Sequence, residues 1–170
     1  MVFHQINEKI TPTISAVWYL NTKFDGMCPN LGPESLHPHW LTLLAEAYGR
    51  ARQPETGLQV LAEAKMLMTT TGMRWSEAEV CRLQGELLLQ LANSDVPQAE
   101  AAFRRALDVA YGQQAKALEL RAALSLGRLW QGQGKRAEPR QLLTEIYNWF
   151  TEGSDTADLQ EAKGLLAELA

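Results

Sequence analysis

The chain has 170 residues, of which 46% are hydrophobic and 21% charged, and its net charge is −4. This balance is typical of one folded domain with a substantial core, and the lack of a long basic run argues against a nucleic-acid partner. The longest apolar runs, such as "LLLQLA", are too short to span a bilayer. The start, "MVFHQINEKI", lacks the pattern of a secretory signal, so we expect a cytoplasmic protein with no membrane partner.

The N-terminal segment, residues 1–36, permits two interpretations. "TPTISAVWYLNTK" fits a helix capped by Thr11 with Pro12 in its first turn, but its β-branched and aromatic residues also permit a strand. "FDGMCPNLGPES" is typical of a loop. The favoured interpretation is a short helix that covers the open edge of the repeats that follow.

Residues 37–152 contain one pattern three times. Each copy has a small residue, a large residue three positions later, and a second small residue in its other half. The spacing is constant within each half and varies by two residues at the join, which predicts rigid elements connected by turns. The first small position of each copy is Ala45, Gly85 or Gly127, and these are 40 and 42 residues apart. The second is Gly57, Ala99 or Pro139, and these are 42 and 40 residues apart.

The rigid elements are predicted to be helices. Apolar residues recur at the i, i+3, i+4 and i+7 spacing of one helix face, as in Leu41, Leu44, Ala45 and Tyr48. The breakers "RQPE", "NSDVP" and "GQGK" separate them. Each unit is therefore expected to be two antiparallel helices joined by a short turn.

Local residues also predict where three of these helices begin. Pro54 suits a first helical position, where its missing N–H costs nothing, and Asp95 can cap the helix that follows it. Pro139 cannot lie deep inside a helix, so its helix should begin near Ala137 or kink.

The small residues indicate closely packed helices. A glycine inside a helix costs about 1 kcal/mol relative to alanine, so Gly85 and Gly127 predict close helix crossings. Phe103 is expected to reach the neighbouring unit, and Cys81 to behave as a small core residue. Packing is also favoured over ligand stacking for the tryptophans near helix starts and on apolar rows, namely Trp40, Trp75, Trp130 and Trp149.

The C-terminal residues 153–170 read as a final helix after the break at Gly153. Asp155 or Thr156 can cap it. One face is apolar and the other polar, as the end of a repeat array requires. The predicted apolar face consists of Leu159, Ala162, Leu166 and Leu169.

The motifs "LSLGRLW" and "AEAAFRRA" resemble the tetratricopeptide (TPR) repeat, although the unit is 40 to 42 residues rather than about 34. Stretches such as "LLAEAYGRARQPETGLQVLAEA" and "LELRAALSLGRLWQGQGKRAE" are similar to the C-terminal repeat region of large bacterial signalling proteins. Those proteins carry an ATPase module, often with a class III adenylate cyclase or a transcription-factor-like domain. The resemblance covers roughly residues 38–170.

The resemblance implies an all-α, TPR-like solenoid of about three antiparallel helix hairpins with a C-terminal capping helix. It implies a scaffold for protein–protein interaction in bacterial signalling. The chain has no phosphate-binding GxxxxGKS or GxxxxGKT motif and no cyclase-type carboxylate pair. The interaction arm is therefore expected here, and no enzyme.

Stacked hairpins leave a concave face lined by the first helix of each pair. Such a face could hold a peptide or a partner domain, or it could be an ordinary solvated surface. A module that senses a small effector and regulates a separate ATPase or cyclase is the alternative function, and an exposed repeat edge could pair two copies as a homodimer. The candidate partner-binding residues are His39, Thr42, Glu46, Arg50, Glu79, Arg82, Glu86, Gln90, Arg121, Arg128 and Gln131.

No catalytic, cofactor-binding or metal-binding residue is predicted. Cys28, Glu34, His37 and His39 are close in sequence, but "HPH" cannot give the i, i+4 histidine spacing of a helical zinc site. His37 is instead expected at a helix start, with Pro38 in the first turn. A metal-dependent enzyme using His37 and His39 is accordingly the weakest hypothesis. Carboxylates such as Glu77 and Glu79 are expected on solvated helix faces, and Cys28 and Cys81 are expected to be reduced thiols.

Overall fold

The computed structural model describes residues 33–153 and 155–170, with side chains from residue 38 onwards. Within these ranges every regular element is a helix and no strand occurs, so the all-α prediction is confirmed there. The predictions for residues 1–32, including Thr11 and Cys28, lie outside the described residues. The helices are α1 (Pro33–Arg50), α2 (Pro54–Thr71), α3 (Glu77–Gln90), α4 (Val96–Gly112), α5 (Lys116–Gly132), α6 (Ala137–Tyr147) and α7 (Ala157–Glu168).

Three predicted helix starts are confirmed. α2 begins at Pro54. The Oδ1 atom of Asp95 accepts a hydrogen bond of 2.9 Å from the backbone N–H of Gln98, which caps α4. α6 begins at Ala137, so Pro139 lies in its first turn, where a proline removes no helical hydrogen bond. Thr156 occupies the cap position of α7, but its side chain makes no capping hydrogen bond.

The start of α1 differs from the prediction. The helix begins at Pro33, four residues before the expected start at residue 37, so Pro38 lies inside the helix and not in its first turn. Pro33 itself is a favourable first helical residue, which explains the earlier start. The carbonyl of Pro38 accepts a hydrogen bond of 2.7 Å from the Oγ1 hydroxyl of Thr42.

The helices contact one another in a regular order. Each helix packs on the next along the chain, and the alternate helices α1, α3, α5 and α7 also contact each other in turn. In the part of the chain that the structure describes, no Cα atom of α2 lies within 8 Å of one in α4, and the same holds for α4 and α6. The alternate helices therefore form one continuous layer, and grooves separate the helices of the other layer.

The predicted close crossings are present. A Cβ atom added to Gly85 would lie 2.5 Å from Cε1 of Phe103, and one added to Gly57 would lie 3.2 Å from the carbonyl oxygen of Ala45. A Cβ atom on Gly127 would lie 3.2 Å from Cδ1 of Leu143. Neither Gly85 nor Gly127 could be larger without displacing its neighbour.

The core also includes most of the predicted apolar residues. Phe103 shares a cluster with Leu126 and Trp130 of the next helix pair, and Cys81 is buried as predicted. Trp75 and Trp149, in contrast, are 48% and 59% exposed, so the packing prediction is wrong for these two. Trp149 lies beyond the end of α6 at Tyr147, where the helical apolar row no longer continues.

The capping helix α7 buries a slightly different face from the predicted one. Leu159, Ala162 and Leu169 are buried as expected, but the fourth buried residue is Leu165 rather than Leu166. Leu165 lies in one core cluster with Leu143 of α6, and Leu166 is packed only at the edge of that cluster. The predicted and observed faces therefore differ at one of four positions.

Candidate interaction surface

The predicted partner-binding residues lie on α1, α3 and α5, and the structure joins them to polar residues of α7. Hydrogen bonds and ion pairs connect α3 to α5 and α5 to α7. We call this surface the first-helix face. Its residues are His39, Glu46, Arg50, Glu79, Arg82, Glu86, Gln90, Arg121, Ser125, Arg128, Gln131, Asp158, Glu161 and Glu168.

Thr42 does not belong to this face, contrary to the prediction. Its side chain is only 1% exposed, and its hydroxyl donates to the carbonyl of Pro38. A threonine hydroxyl inside a helix often bonds to the backbone carbonyl four residues earlier, and here that residue is Pro38. The threonine thus serves the local backbone of α1 and cannot contact a partner.

Arg82 is the centre of the first-helix face. Its guanidinium makes two hydrogen bonds to the carboxylate of Glu79, at 2.9 and 2.8 Å, and also donates to Glu86. A further hydrogen bond of 3.3 Å reaches the hydroxyl of Ser125 on α5, and that hydroxyl donates to Glu86 at 3.0 Å. The side chains of Arg82 and Glu79 are 12% and 15% exposed, so this cluster is a fixed part of the packing between α3 and α5.

The pKa shifts of Glu79 and Arg82 are those expected of an ion pair in which both side chains are charged. Burial alone would raise the pKa of Glu79, but the hydrogen bonds and charge of Arg82, with the charges of Arg121 and His39, lower that pKa below its usual value. Burial opposes the charge of Arg82, but Glu79 and Glu86 outweigh it and raise the pKa of the guanidinium. Glu79 and Arg82 therefore remain charged at neutral pH.

The sequence predicted that Glu77 and Glu79 lie on solvated helix faces, but the structure shows both largely buried. Both side chains are 15% exposed, and both are paired with arginines. Glu77 lies on the opposite side of α3 from Glu79 and contacts Arg74 and Arg105. The burial of these carboxylates arises from the helices on either side of α3, which periodicity alone does not reveal.

The α5–α7 part of the face contains pairs that the sequence analysis did not find. Arg121 bridges two helices, with Nε 3.0 Å from Asp158 of α7 and Nη1 3.4 Å from Glu79 of α3. Arg128 lies 2.9 Å from Glu161, and Gln131 donates to Glu168 at 2.9 Å. The sequence predicts a polar face on this helix, but it does not indicate that the face pairs with α5.

Two depressions interrupt the first-helix face. One has a volume of about 380 Å³ and lies between the C-terminal ends of α1 and α3, where Glu46, Arg50, Glu86 and Gln90 surround buried Leu83 and Leu87. The second, of about 220 Å³, lies between α5 and α7. Its rim consists of Arg128, Gln131, Glu161 and Glu168. Eight residues of the face thus surround hollows that could accept side chains.

His39 lies at the other end of the face. Its ring centroid is 4.9 Å from that of the exposed Trp75, with the planes tilted by 41°. Burial lowers the pKa of His39, and the charge of Glu79 opposes that effect. His39 is therefore neutral at physiological pH. The side chains of Glu34 and His37, and all of Cys28, lie outside the described residues, so the proposed metal cluster stays a hypothesis.

Among the described side chains, no three or more histidine, cysteine, aspartate or glutamate residues are grouped as a metal ion would require. None of the helices in the described ranges combines the length and apolar character needed to cross a membrane. In comparisons with protein-family models, with curated proteins and with solved structures, nothing matches the chain significantly.

Proposed function

We propose that the chain is a non-catalytic, TPR-like solenoid that binds a peptide or a partner domain on its first-helix face, as part of a bacterial signalling system. The observation that carries the proposal is the contact of α1, α3, α5 and α7 in turn. This order is the one expected when helix hairpins stack along the chain. Ten of the eleven predicted residues are partly or fully exposed on α1, α3 and α5, which supports the proposal.

The first-helix face has a buried ion pair at its centre and exposed ion pairs at its edges. Arg82 and Glu79 are largely buried, and breaking their pair would leave an uncompensated charge. At the edges, Arg50 and Arg128 are 80% and 61% exposed, and their pairs with Glu46 and Glu161 contribute little, about 0–1 kcal/mol each. Charged groups of a partner can replace these exposed pairs at low cost.

The charge of the face favours a basic partner segment. It contains six carboxylates and four guanidinium groups, and the lowered pKa keeps His39 neutral. Three of the carboxylates, Asp158, Glu161 and Glu168, belong to α7. A segment with lysine or arginine side chains directed towards α5 and α7 therefore has the complementary charge.

The test uses capture from an extract of the native host followed by mass spectrometry. The variant Glu161→Lys with Glu168→Lys reverses two charges on the face, and Glu138→Lys with Glu145→Lys makes the same change on exposed positions of α6. We expect the wild type and the α6 variant to retain a common set of partners that the α7 variant loses. Equal capture by all three proteins, with unchanged helical circular dichroism, would contradict the proposal.

Homodimer formation through a repeat edge stays a prediction. Analytical ultracentrifugation of the wild-type chain checks it, because a dimer doubles the mass of 19.0 kDa. A sample that remains monomeric at high micromolar concentration would rule out a stable pair. Neither result changes the assignment of the first-helix face.

A further inference from the structure

A further polar cavity lies on the other side of α3 from the first-helix face. It has a volume of about 400 Å³, its walls come from α2 and α4, and α3 forms its floor. Among the described residues no Cα atom of α2 lies within 8 Å of one in α4, which leaves room for the cavity. At about 100° per residue, Glu77, Cys81 and Gln84 lie on one side of α3, and the row from Glu79 to Glu86 lies on the other. The cavity is thus separate from the surface proposed above.

Three cations converge on this cavity. Arg74 makes two hydrogen bonds to Glu77, at 2.8 and 2.9 Å, and Arg105 contacts Oε1 of the same carboxylate at 3.3 Å. Lys65 donates to the neutral amide of Gln84 and has no carboxylate partner among the described residues. The cavity therefore holds three cations and one carboxylate, in a chain whose net charge is −4.

The equivalent position one repeat later shows that the fold does not require this charge. A cavity of about 410 Å³ lies between α4 and α6 above α5. By the repeat spacing of 40 to 42 residues, Lys65 corresponds to Leu107, Gln84 to Leu126 and Arg105 to Glu145. Leu107, Leu126 and Glu145 all line the cavity between α4 and α6. The same architecture thus has three carboxylates and one guanidinium in one repeat, and three cations and one carboxylate in the other.

The thiol at the floor does not neutralise the cations. Burial raises the pKa of Cys81, and this effect outweighs the charges of Lys65, Arg105 and Arg74, which lower it. The group is therefore a neutral thiol at physiological pH. Two positive charges of the cavity remain without a counter-charge.

We propose that the cavity between α2 and α4 binds the phosphate group of a small phosphate monoester. A phosphate monoester carries about −1.5 to −2 charges at pH 7, which matches the excess of two cations, and guanidinium groups bind phosphate oxygens in a planar, two-pronged manner. The volume lies within the range of about 300–1,000 Å³ that is usual for small-ligand sites. Gln98 and Thr69 on the walls supply further polar groups for the rest of the ligand.

Isothermal titration calorimetry of the full chain tests the proposal with AMP, inorganic phosphate and adenosine at one ionic strength. We expect saturable binding of AMP and none of adenosine. Binding of inorganic phosphate as tight as that of AMP would assign the site to free phosphate, within the same chemistry, whereas weaker binding would assign it to the ester. Absence of binding by both phosphate-containing probes would overturn the proposal.

Two variants separate a specific site from general charge attraction. Arg105→Gln should weaken AMP binding about tenfold or more, since a hydrogen bond to a charged group is lost. The control is Arg104→Gln, because Arg104 and Arg105 are 59% and 58% exposed on the same helix and only Arg105 lines the cavity. Equal weakening by both variants would contradict the assignment. Lys65→Gln provides a second test inside the cavity, and the face variants of α7 should leave AMP binding unchanged.

Discussion

The contact between Gly85 and Phe103 allows the packing of α3 on α4 to be tested by adding a single methyl group. In Gly85→Ala the new Cβ would lie 2.5, 2.7 and 2.8 Å from three carbon atoms of the Phe103 ring. Such distances are shorter than real carbon–carbon contacts, so the ring or a helix must move. Phe103 is 1% exposed and packs with Leu88, Leu126 and Trp130, which leaves the ring little room to swing.

The expected size of the effect combines two opposing contributions. Overpacking a filled core costs about 1–3 kcal/mol, and the enclosed ring places this site near the upper end. Alanine is favoured over glycine within a helix by about 1 kcal/mol. We therefore expect Gly85→Ala to lower the free energy of unfolding by about 2 kcal/mol, and the melting temperature by about 4–8 °C.

Urea denaturation followed by circular dichroism measures this loss. Gly164→Ala is the matched control, because Gly164 lies inside α7 and a Cβ atom added there meets nothing within 4 Å. The control should be as stable as the wild type or more stable, by up to about 1 kcal/mol. Phe103→Leu should recover part of the loss when it is combined with Gly85→Ala, because the two sites are coupled.

The reasoning would be refuted if Gly85→Ala were as stable as Gly164→Ala. It would also be refuted if the losses from Gly85→Ala and Phe103→Leu simply added. Either result would mean that α3 and α4 do not cross at the distance described. The assignment of the small repeat positions to close crossings would then be wrong.

Three further predictions concern the polar network and the helix ends. Arg82→Met should lower the free energy of unfolding in urea by about 3 kcal/mol, because Glu79 loses its buried partner. Arg128→Met, at an exposed site, should lower it by less than about 1 kcal/mol. Equal losses would contradict the fixed role of Arg82. The folded state lowers the pKa of Glu79 from 4.5 and that of His39 from 6.5, so each group contributes stability that is lost as pH falls below those values. His39→Gln should therefore flatten the stability profile just below pH 6.5 and Glu79→Gln the profile below pH 4.5, and unchanged slopes in pH-dependent denaturation would disprove these assignments. Asp95→Ala should cost about 1 kcal/mol by removing the α4 cap, and Asp95→Asn should cost little, as thermal denaturation would show.

Much of the helical framework could be predicted from the sequence because it depends on local chemistry. Pro54, Asp95 and Pro139 predict helix starts through backbone rules that do not need tertiary contacts. The spacing of Gly85 and Gly127 indicates close crossings because a glycine inside a helix needs a compensating contact. The sequence predicted these features, and the structure contains them.

The remaining features depend on which neighbouring helix covers a given side chain. Thr42 has the spacing of a surface residue but is buried, and its hydroxyl bonds to the Pro38 carbonyl within α1. Trp149 has the spacing of a core residue but lies beyond the end of its helix. The ion pairs of Asp158 and Glu161 require knowledge of how α7 packs on α5. Periodicity within one helix contains none of this information.

The most direct test of the central proposal is hydrogen–deuterium exchange of the chain with and without a partner captured from the host. We expect the partner to slow exchange in α1, α3, α5 and α7, around the hollows bordered by Glu86 and Glu161. Protection confined to α2, α4 and α6 would contradict the assignment of the first-helix face as the binding surface.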